Sequence, residues 1–163
     1  MLAISVRPAR PEEQGDLSRL AVRATRHIGY DDVFIDRAIA SLVIPFPMIT
    51  SGNVLVAELS EGTVCGVIAV FAAPGLAHLH GIFVDPPHWR KGVGRRLFDA
   101  AAEHLRDKNS GAILINAEPS AVPFYERMGA VRIGESPFYP SPDLVLPILL
   151  YLIPPRSDET APL

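Results

Sequence analysis

The sequence predicts an α/β domain built around a mostly antiparallel sheet with one parallel section. The 163 residues suit a single domain, and apolar residues recur at both strand and helix spacing. Three consecutive strands favour an antiparallel meander, and a later strand–helix–strand segment favours a parallel pair joined by a right-handed crossover. The predicted order of elements is β-α-α-β-β-β-α-β-α-β-β.

The first third of the chain predicts one strand and two helices. Residues 4–7 alternate between apolar and polar side chains, which is typical of a strand. Residues 12–26 place leucine and alanine at helical spacing behind an acidic start, and Gly29 ends that helix. Residues 31–42 repeat the helical spacing until the prolines that follow stop it.

The rest of the chain predicts six strands and two helices. Segments rich in β-branched residues and separated by turns indicate the meander, and an apolar stripe at helical spacing indicates the helix after it. The predicted segments are strands at 53–59, 63–72 and 77–84, a helix at 92–108, a strand at 112–117, a helix at 122–128, and strands at 131–134 and 145–152. Strand 145–152 is expected either to close the sheet or to join a dimer interface.

The composition predicts a soluble cytoplasmic protein. The chain is 48% hydrophobic and 20% charged with a formal net charge of −3, so it gives no reason to expect nucleic acid or a membrane as a partner. We find no apolar run of signal-peptide length at the N-terminus, and the most apolar stretch, 144–153, is too short to span a bilayer. We expect one domain over residues 1–153 and a flexible tail over 154–163.

The one cysteine of the chain, Cys65, excludes a disulfide within it. Without a CxxC pair, a structural zinc site is also not expected, and no metal is predicted. Cys65 lies inside a predicted strand, so we expect it to be a small buried residue.

The turn from Trp89 to Arg96 is the first candidate site. It follows a predicted strand and opens a helix, whose first N–H groups are unpaired and carry partial positive charge. Gly92 and Gly94 allow a phosphate to approach the backbone, and four basic residues surround them. The turn has neither the P-loop pattern nor the third glycine of the dinucleotide pattern, so it predicts neither of those sites. Two interpretations remain: a pyrophosphate site, or a basic helix start that is only solvated.

The segment from Val84 to Gly94 resembles the acetyl-CoA-binding motif of the GNAT N-acetyltransferase superfamily. That motif commonly begins with Gln or Arg, where this chain has Trp89. The resemblance implies the GNAT fold, acetyl-CoA as cosubstrate, and pyrophosphate binding by the amides of residues 91–96. The residues that it implies bind the coenzyme are Phe83, Val84, Arg90, Lys91, Gly92, Val93, Gly94, Arg95, Arg96 and Phe124, with the backbone of Phe83 and Val84 pairing with the pantetheine arm.

The run from Ala121 to Ala130 resembles the second GNAT motif, which commonly ends in Phe-Tyr-Glu-x-x-Gly-Phe. Phe124, Tyr125 and Gly129 match it, whereas Glu118 stands where the family usually has Asn. Attack of an amine on a thioester releases a thiolate, and a phenol near the sulfur can donate a proton or a hydrogen bond. The resemblance implies that Tyr125 is this general acid, with Phe124 supplying the packing and Tyr125 facing the cleft; a packed aromatic pair is the alternative.

His78 and His80 lie two apart on strand 77–84, so their side chains are expected on one face. Histidine has an unperturbed pKa of about 6.5, which suits removal of a proton from an ammonium group. Two such residues can also be strand fillers or metal ligands, but no third ligand lies nearby in the sequence. Together with the Tyr125 motif, they are similar to the arylalkylamine N-acetyltransferase branch, where paired strand histidines relay the proton. Asp85, at the strand end, is either a positioning group or part of a turn.

The acceptor side of the site is less defined. Asp31 and Asp32 either attract a cationic amine or cap a helix. His27, Tyr30 and Phe34 are candidates for lining the acceptor pocket. The predicted activity is transfer of acetyl to a primary amine of a small molecule in a ternary complex. The alternatives are a protein or peptide N-acetyltransferase, a non-catalytic acyl-CoA-binding module and, more weakly, nucleic-acid binding through the basic turn.

Overall fold

The computed structural model describes residues 3–158 as a seven-stranded sheet covered by helices. The strands are Ile4–Pro8 (β1), Val54–Leu59 (β2), Val64–Phe71 (β3), Gly75–Val84 (β4), Ser110–Asn116 (β5), Val131–Pro137 (β6) and Val145–Leu152 (β7). The helices are Gln14–Ile28 (α1), Asp32–Leu42 (α2), Phe46–Thr50 (α3), Val93–Asp107 (α4) and Val122–Met128 (α5). Short 3₁₀ turns cover Pro11–Glu13, Pro86–His88 and Pro119–Ala121.

The observed order confirms the predicted fold class and adds one helix. α3 begins directly after Pro45 and carries Pro47 in its first turn. Proline was expected only to stop the preceding helix, but a proline in the first turn lacks only an N–H that would have no partner there. Gly29 ends α1 with φ 120°, as its position in the sequence predicts.

The sheet runs β1-β2-β3-β4-β5-β7-β6, and every neighbouring pair is antiparallel except β4 and β5. β4 and β5 are the two ends of the predicted crossover through α4. β7 lies inside the sheet between β5 and β6, and β6 forms that edge.

The parallel pair is short. β4 pairs with β5 only from Gly75 to His78, ending opposite Leu114. β5 continues to Asn116 against β7, while β4 continues to Val84 against β3. Beyond His78, the two central strands therefore diverge, and a gap opens in the middle of the sheet.

The two faces of the sheet are covered by different helices. α4 packs on β2, β3 and β4, and the fully buried Phe98 and Leu97 lie in its core. α1 and α2 cover the opposite face. At Gly66 of β3, the backbone lies so close to α4 that an added Cβ would be 2.9 Å from Leu97 Cδ1 and 3.0 Å from Val93 Cγ1.

Among the described residues, the helical stretch Asp32–Thr50 is long and apolar enough to cross a membrane by length and composition alone, with a mean hydropathy of 1.6. In the structure this stretch is the two helices α2 and α3, and part of it is buried against the domain. Length and composition alone are weak support for a membrane span.

The described part of the predicted tail contacts α4. Arg106 Nε donates to the Pro154 carbonyl at 2.7 Å, and Arg156 pairs with Asp107. Residues 159–163, the remainder of that tail, lie outside the described residues.

We predict that Gly66→Ala destabilises the protein by about 1–3 kcal/mol, because the new methyl group overpacks the contact between β3 and α4. The matched control is Gly134→Ala in β6, where an added Cβ has nothing within 4 Å. Chemical denaturation measures both free energies of unfolding. Equal stability of the two variants would contradict the tight contact.

Candidate active site

The gap between β4 and β5 opens into a cleft of about 720 Å³. β4 contributes one wall, the ends of α1 and α2 another, and the segment from β5 into α5 a third. Phe138 and Leu144, between β6 and β7, close one end. The cleft therefore lies where the sheet has lost its central hydrogen bonds.

The turn before α4 presents backbone N–H groups at the edge of this cleft. Gly92 precedes the helix with φ 82°, and Arg90 also has a positive φ, 59°. The first main-chain bond of the helix runs from Arg96 N to Gly92 O at 3.1 Å. The amides of Val93, Gly94 and Arg95 precede that bond and point out of the helix start, which suits an anion.

Gly94 lies against the aromatic ring of Phe124. A Cβ added at Gly94 would be 3.2 Å from Phe124 Cε2 and 3.3 Å from Cζ. Both residues line the cleft, so a side chain at this position would move the ring or take up cleft space. The absence of a side chain at Gly94 therefore sets the width of the cleft beside the turn.

The side chains of the turn differ in what they can do. Val93 is buried in the core beneath α4, so it can offer only its amide. Arg96 Nη2 donates to the Ile4 carbonyl of β1 at 2.5 Å, and Arg95 lies 3.9 Å from Asp99. Arg90 and Lys91 are exposed. All four predicted basic residues therefore surround the helix start, and two of them, Arg95 and Arg96, also contact other groups of the protein.

Trp89, the departure from the family motif, bridges the turn to β4. Its Nε1 donates to the Val84 carbonyl at 2.6 Å, and its ring meets His27 edge-on at 4.8 Å. Asp85, the residue directly after β4, accepts two hydrogen bonds from the Arg23 guanidinium, both at 3.2 Å. Asp85 therefore ties the end of β4 to α1.

The two strand histidines line the cleft together. The register of β3 against β4 shifts between Ala69 and Val70, so that His80 is the extra residue of a bulge. Every residue of β4 from His78 to Val84 borders the cleft, on both sides of this bulge. The ring of Phe83 lies over Gly81, where an added Cβ would be 2.5 Å from it.

The hydrogen bond of His80 fixes which of its nitrogens is free to accept a proton. Nε2 lies 3.1 Å from the Val43 carbonyl, which can only accept, so Nε2 carries the hydrogen and Nδ1 the lone pair. Burial lowers the pKa of His80, while the carbonyl contact opposes that effect. A neutral imidazole at pH 7 is the protonation state that a base needs. His78 is exposed at the outer end of the strand pair.

Tyr125 is the more buried member of the aromatic pair, with 5% of its surface exposed. Its ring packs between Phe98 and Phe124, at centroid distances of 6.2 and 5.2 Å, and both Phe124 and Tyr125 line the cleft. The predicted division, in which Phe124 packs and Tyr125 faces the cleft, is therefore too simple. Burial first, and the negative charge of Glu118 second, raise the pKa of Tyr125, so it stays a phenol.

The predicted acceptor end of the cleft, around Tyr30 and Phe34, has an aromatic wall with one carboxylate. Tyr30 and Phe34 stack at 4.1 Å, and Phe34 lies 5.8 Å from Phe138. The Tyr30 hydroxyl donates to Glu118 Oε1 at 2.8 Å, and burial, followed by this contact, raises the pKa of Tyr30. Sequence reasoning noted Glu118 only as a departure from the family pattern. That departure was the available signal, but the contact with Tyr30, 88 residues away, exists only in the fold.

Other candidates from the sequence have structural roles. Asp31 caps α2 by accepting from Phe34 N at 2.8 Å, and Asp32 pairs with Arg26. His27 packs on Trp89 and is not among the residues that line the cleft. Cys65 is fully buried, as expected. Within residues 3–158, no group of three or more His, Cys, Asp or Glu side chains is arranged around a common metal position.

Comparisons with known proteins agree with this architecture. The chain is similar to a GCN5-related N-acetyltransferase from Rhodopseudomonas palustris (19% identity, 93% of this chain and 98% of that one, TM-score 0.75). It is similar to PaiA N-acetyltransferase from Thermoplasma acidophilum in complex with coenzyme A (15% identity, 93% of this chain and 99% of that one, TM-score 0.74). It is also similar to a GNAT family acetyltransferase from Brucella melitensis in complex with acetyl-CoA (19% identity, 95% of this chain and 91% of that one, TM-score 0.61). At these identities, the likeness establishes the fold.

No curated protein matched the chain. The family profile described as "Acetyltransferase (GNAT) domain" matches residues 32–140, which is more than half of the chain. This match covers α2, the diverging strands β4 and β5, the turn before α4 and the Tyr125 motif. The chain therefore belongs to the GNAT acetyltransferase family.

Proposed function

We propose that this protein transfers the acetyl group of acetyl-CoA to a primary amine of a small molecule, by direct attack in a ternary complex. The observation that carries the proposal is the composition of one cleft. A neutral histidine, a buried phenol and an anion-binding helix start line it or border it, and its acceptor end is closed by aromatic contacts.

The cleft has the features that an acetyl-CoA site requires. The amides of residues 91–95 and the cations of Arg90 and Lys91 would hold the pyrophosphate. The edge of β4 at Phe83 and Val84 that β5 leaves unpaired would pair with the amide groups of the pantetheine arm, except for the Val84 carbonyl that Trp89 already occupies. Gly94 and Phe124 leave room beside the turn. Two structural neighbours were solved with coenzyme A or acetyl-CoA, which supports the same cosubstrate here. When bound, it supplies an acetyl group activated as a thioester.

His80 is the proposed base. The amine arrives as an ammonium ion and must lose a proton before its nitrogen can attack. Nδ1 of His80 is free to take that proton because Nε2 is already committed to Val43. His78, exposed on the same strand, would pass the proton to solvent. This arrangement supports the resemblance to the arylalkylamine branch.

Tyr125 is the proposed donor to the departing sulfur. Its raised pKa lies well above that of an ordinary thiol, about 8.5, so complete proton transfer to a thiolate would be uphill. Hydrogen-bond donation to the developing negative charge costs no such transfer, and a buried donor is stronger for that purpose. We therefore assign Tyr125 a hydrogen bond to sulfur as its main contribution.

A small-molecule acceptor fits the cleft better than a protein chain. A peptide would need an open groove between the first two helices and the last strands. Two contacts instead cross that space, Tyr30 to Glu118 and Phe34 to Phe138. The aromatic walls favour an amine that carries a flat apolar group, such as an arylalkylamine.

The direct test is a panel of amines assayed by release of free thiol from acetyl-CoA. Arylalkylamines should be acetylated faster than short aliphatic amines, and lysine-containing peptides should react slowest. Peptides as the best acceptors would contradict the small-molecule proposal. Binding of acetyl-CoA without turnover on any amine would contradict the transfer reaction as proposed.

We predict that Tyr125→Phe lowers kcat by about a hundredfold and leaves the affinity for acetyl-CoA nearly unchanged. The substitution removes only the hydroxyl, so the ring still packs on Phe98. The matched control is Tyr151→Phe, whose ring also packs on Phe98, at 4.9 Å, outside the cleft lining. Thiol-release kinetics and calorimetry measure the two quantities. Wild-type kcat in Tyr125→Phe would refute the role.

We predict that kcat/KM falls on the acid side with an apparent pKa below 6.5. Burial lowers the pKa of His80, and only the neutral imidazole accepts a proton, so activity is retained above that pKa and lost below it. The acceptor's own titration, near pH 10 for an alkylamine, lies far from this limb. His80→Gln should remove the limb and cost about a hundredfold in rate, whereas a limb that persists in this variant would assign it elsewhere.

We predict that Gly94→Ala weakens acetyl-CoA binding by about tenfold, because the added methyl group forces the Phe124 ring into the cleft. Gly15→Ala is the matched helix control, since its new Cβ meets only the flexible side chain of Arg19. Calorimetric titration with acetyl-CoA measures both. Equal affinities would exclude a role for this close approach.

A further inference from the structure

Glu118 is held in one orientation at the acceptor end of the cleft. The Ser120 amide donates to its Oε2 at 2.9 Å, and the Ser120 hydroxyl donates to the same oxygen. Its other oxygen, Oε1, accepts only the Tyr30 hydroxyl, at 2.8 Å, among the described contacts. A carboxylate has about four acceptor positions. One oxygen is therefore fixed by the protein, and the other faces the opposite wall of the cleft.

No cation of the cleft balances this carboxylate. Elsewhere in the described chain, the partly buried carboxylates have arginine partners: Arg7 pairs with Glu13 and Glu58, and Arg23 pairs with Asp85. The described residues that line the cleft include no lysine, no arginine and no second carboxylate. Glu118 is half-buried, and a carboxylate without a cationic partner is less stable in such surroundings than in water. Such a charge is expected where a cationic ligand completes the site.

The walls around Glu118 specify the rest of that ligand. The stacked rings of Tyr30 and Phe34, with Phe138 beyond them, give a flat apolar surface next to the carboxylate. Aromatic faces attract cations as well as apolar groups. An ammonium ion with a flat apolar substituent fits both features at once.

We propose that Glu118 is the residue that selects a cationic acceptor, and that the Tyr30 hydroxyl occupies its free oxygen until the acceptor's ammonium group replaces it. This inference rests on the proposed function, because it names the group that binds the acceptor of the same reaction. It also accounts for a glutamate where the family usually has asparagine: a neutral amide cannot balance an ammonium ion.

The proposal makes opposite predictions for the two partners of one hydrogen bond. Glu118→Gln removes the negative charge, so it should weaken binding of an ammonium ligand by about tenfold to a hundredfold. Tyr30→Phe removes the competing donor and keeps the stacked ring, so it should leave binding unchanged or tighten it. If the bond merely held the two walls together, Tyr30→Phe would break it and weaken binding more than Glu118→Gln, whose amide can still hydrogen-bond the Tyr30 hydroxyl.

The experiment is calorimetry on the protein saturated with coenzyme A, with 2-phenylethylamine and 2-phenylethanol as probes. The two probes differ in an ammonium group and a hydroxyl, so their affinity ratio isolates recognition of charge. The wild type should bind the amine at least tenfold more tightly than the alcohol. Glu118→Gln should abolish that ratio, Tyr30→Phe should keep or increase it, and Glu118→Asp should retain part of it because the charge remains.

Affinity for coenzyme A shows that each variant is folded. The proposal is overturned if the wild type does not prefer the amine, if Glu118→Gln keeps the preference, or if Tyr30→Phe loses it as fully as Glu118→Gln. Because binding is measured without acetyl transfer, its outcome is separate from that of the proposed function. Charge preference without acetylation of either probe or any panel amine would support Glu118 and refute the transfer reaction.

Discussion

The divergence of β4 from β5 is the constraint on which the site depends. A sheet is stabilised by continuous pairing, and an interrupted pair leaves backbone N–H and C=O groups that need other partners. Here the parallel pair ends at His78, and the bulge at His80 turns the outer half of β4 away. Trp89 satisfies one exposed carbonyl, that of Val84. The remaining edge is available to an extended polar ligand, so the interruption of the sheet is what makes a binding site.

The two faces of the sheet bring different chemistry to this gap. On one face, close packing of α4 on Gly66 fixes the start of that helix beside the outer end of β4. On the other face, α1 and α2 bring Tyr30, Phe34 and the Val43 carbonyl to the acceptor side. The turn proposed to bind the anion and the pocket proposed for the amine are thus held by separate helices. Residues of β4, together with Phe124 and Tyr125 of α5, line the cleft between them.

Electrostatics follow the same division. The turn concentrates cations and helix N–H groups, while the acceptor end holds one carboxylate in aromatic surroundings. Burial shifts the pKa values of the two titratable groups that lie between the turn and the carboxylate, His80 and Tyr125, in opposite directions. It lowers the pKa of His80, which favours the neutral imidazole that the proposed base needs, and it raises the pKa of Tyr125, which favours the protonated phenol that the proposed donor needs. Both effects come from the same apolar cleft.

The fold class, the order of the predicted elements and the family could be read from the sequence, because periodic apolar spacing and glycine-rich turns are local signals. Three helix boundaries are marked by glycines with positive φ: Gly29 after α1, Gly92 before α4 and Gly129 after α5. The first turn of α3 at Pro47 was missed because proline is ambiguous locally. The sequence left two roles open for Asp31, capping a helix or attracting a cationic amine. Only the structure shows that Asp31 caps α2.

What the sequence by itself determined was therefore which residues form each element and which family motif they carry. The tertiary structure decided how those elements meet: the point where β4 leaves β5, the nitrogen of His80 that stays free, the burial of Tyr125 and the contact of Tyr30 with Glu118. The physical reason is range. Helix and strand patterns repeat over a few residues, whereas these contacts join side chains dozens of positions apart, which no local spacing encodes.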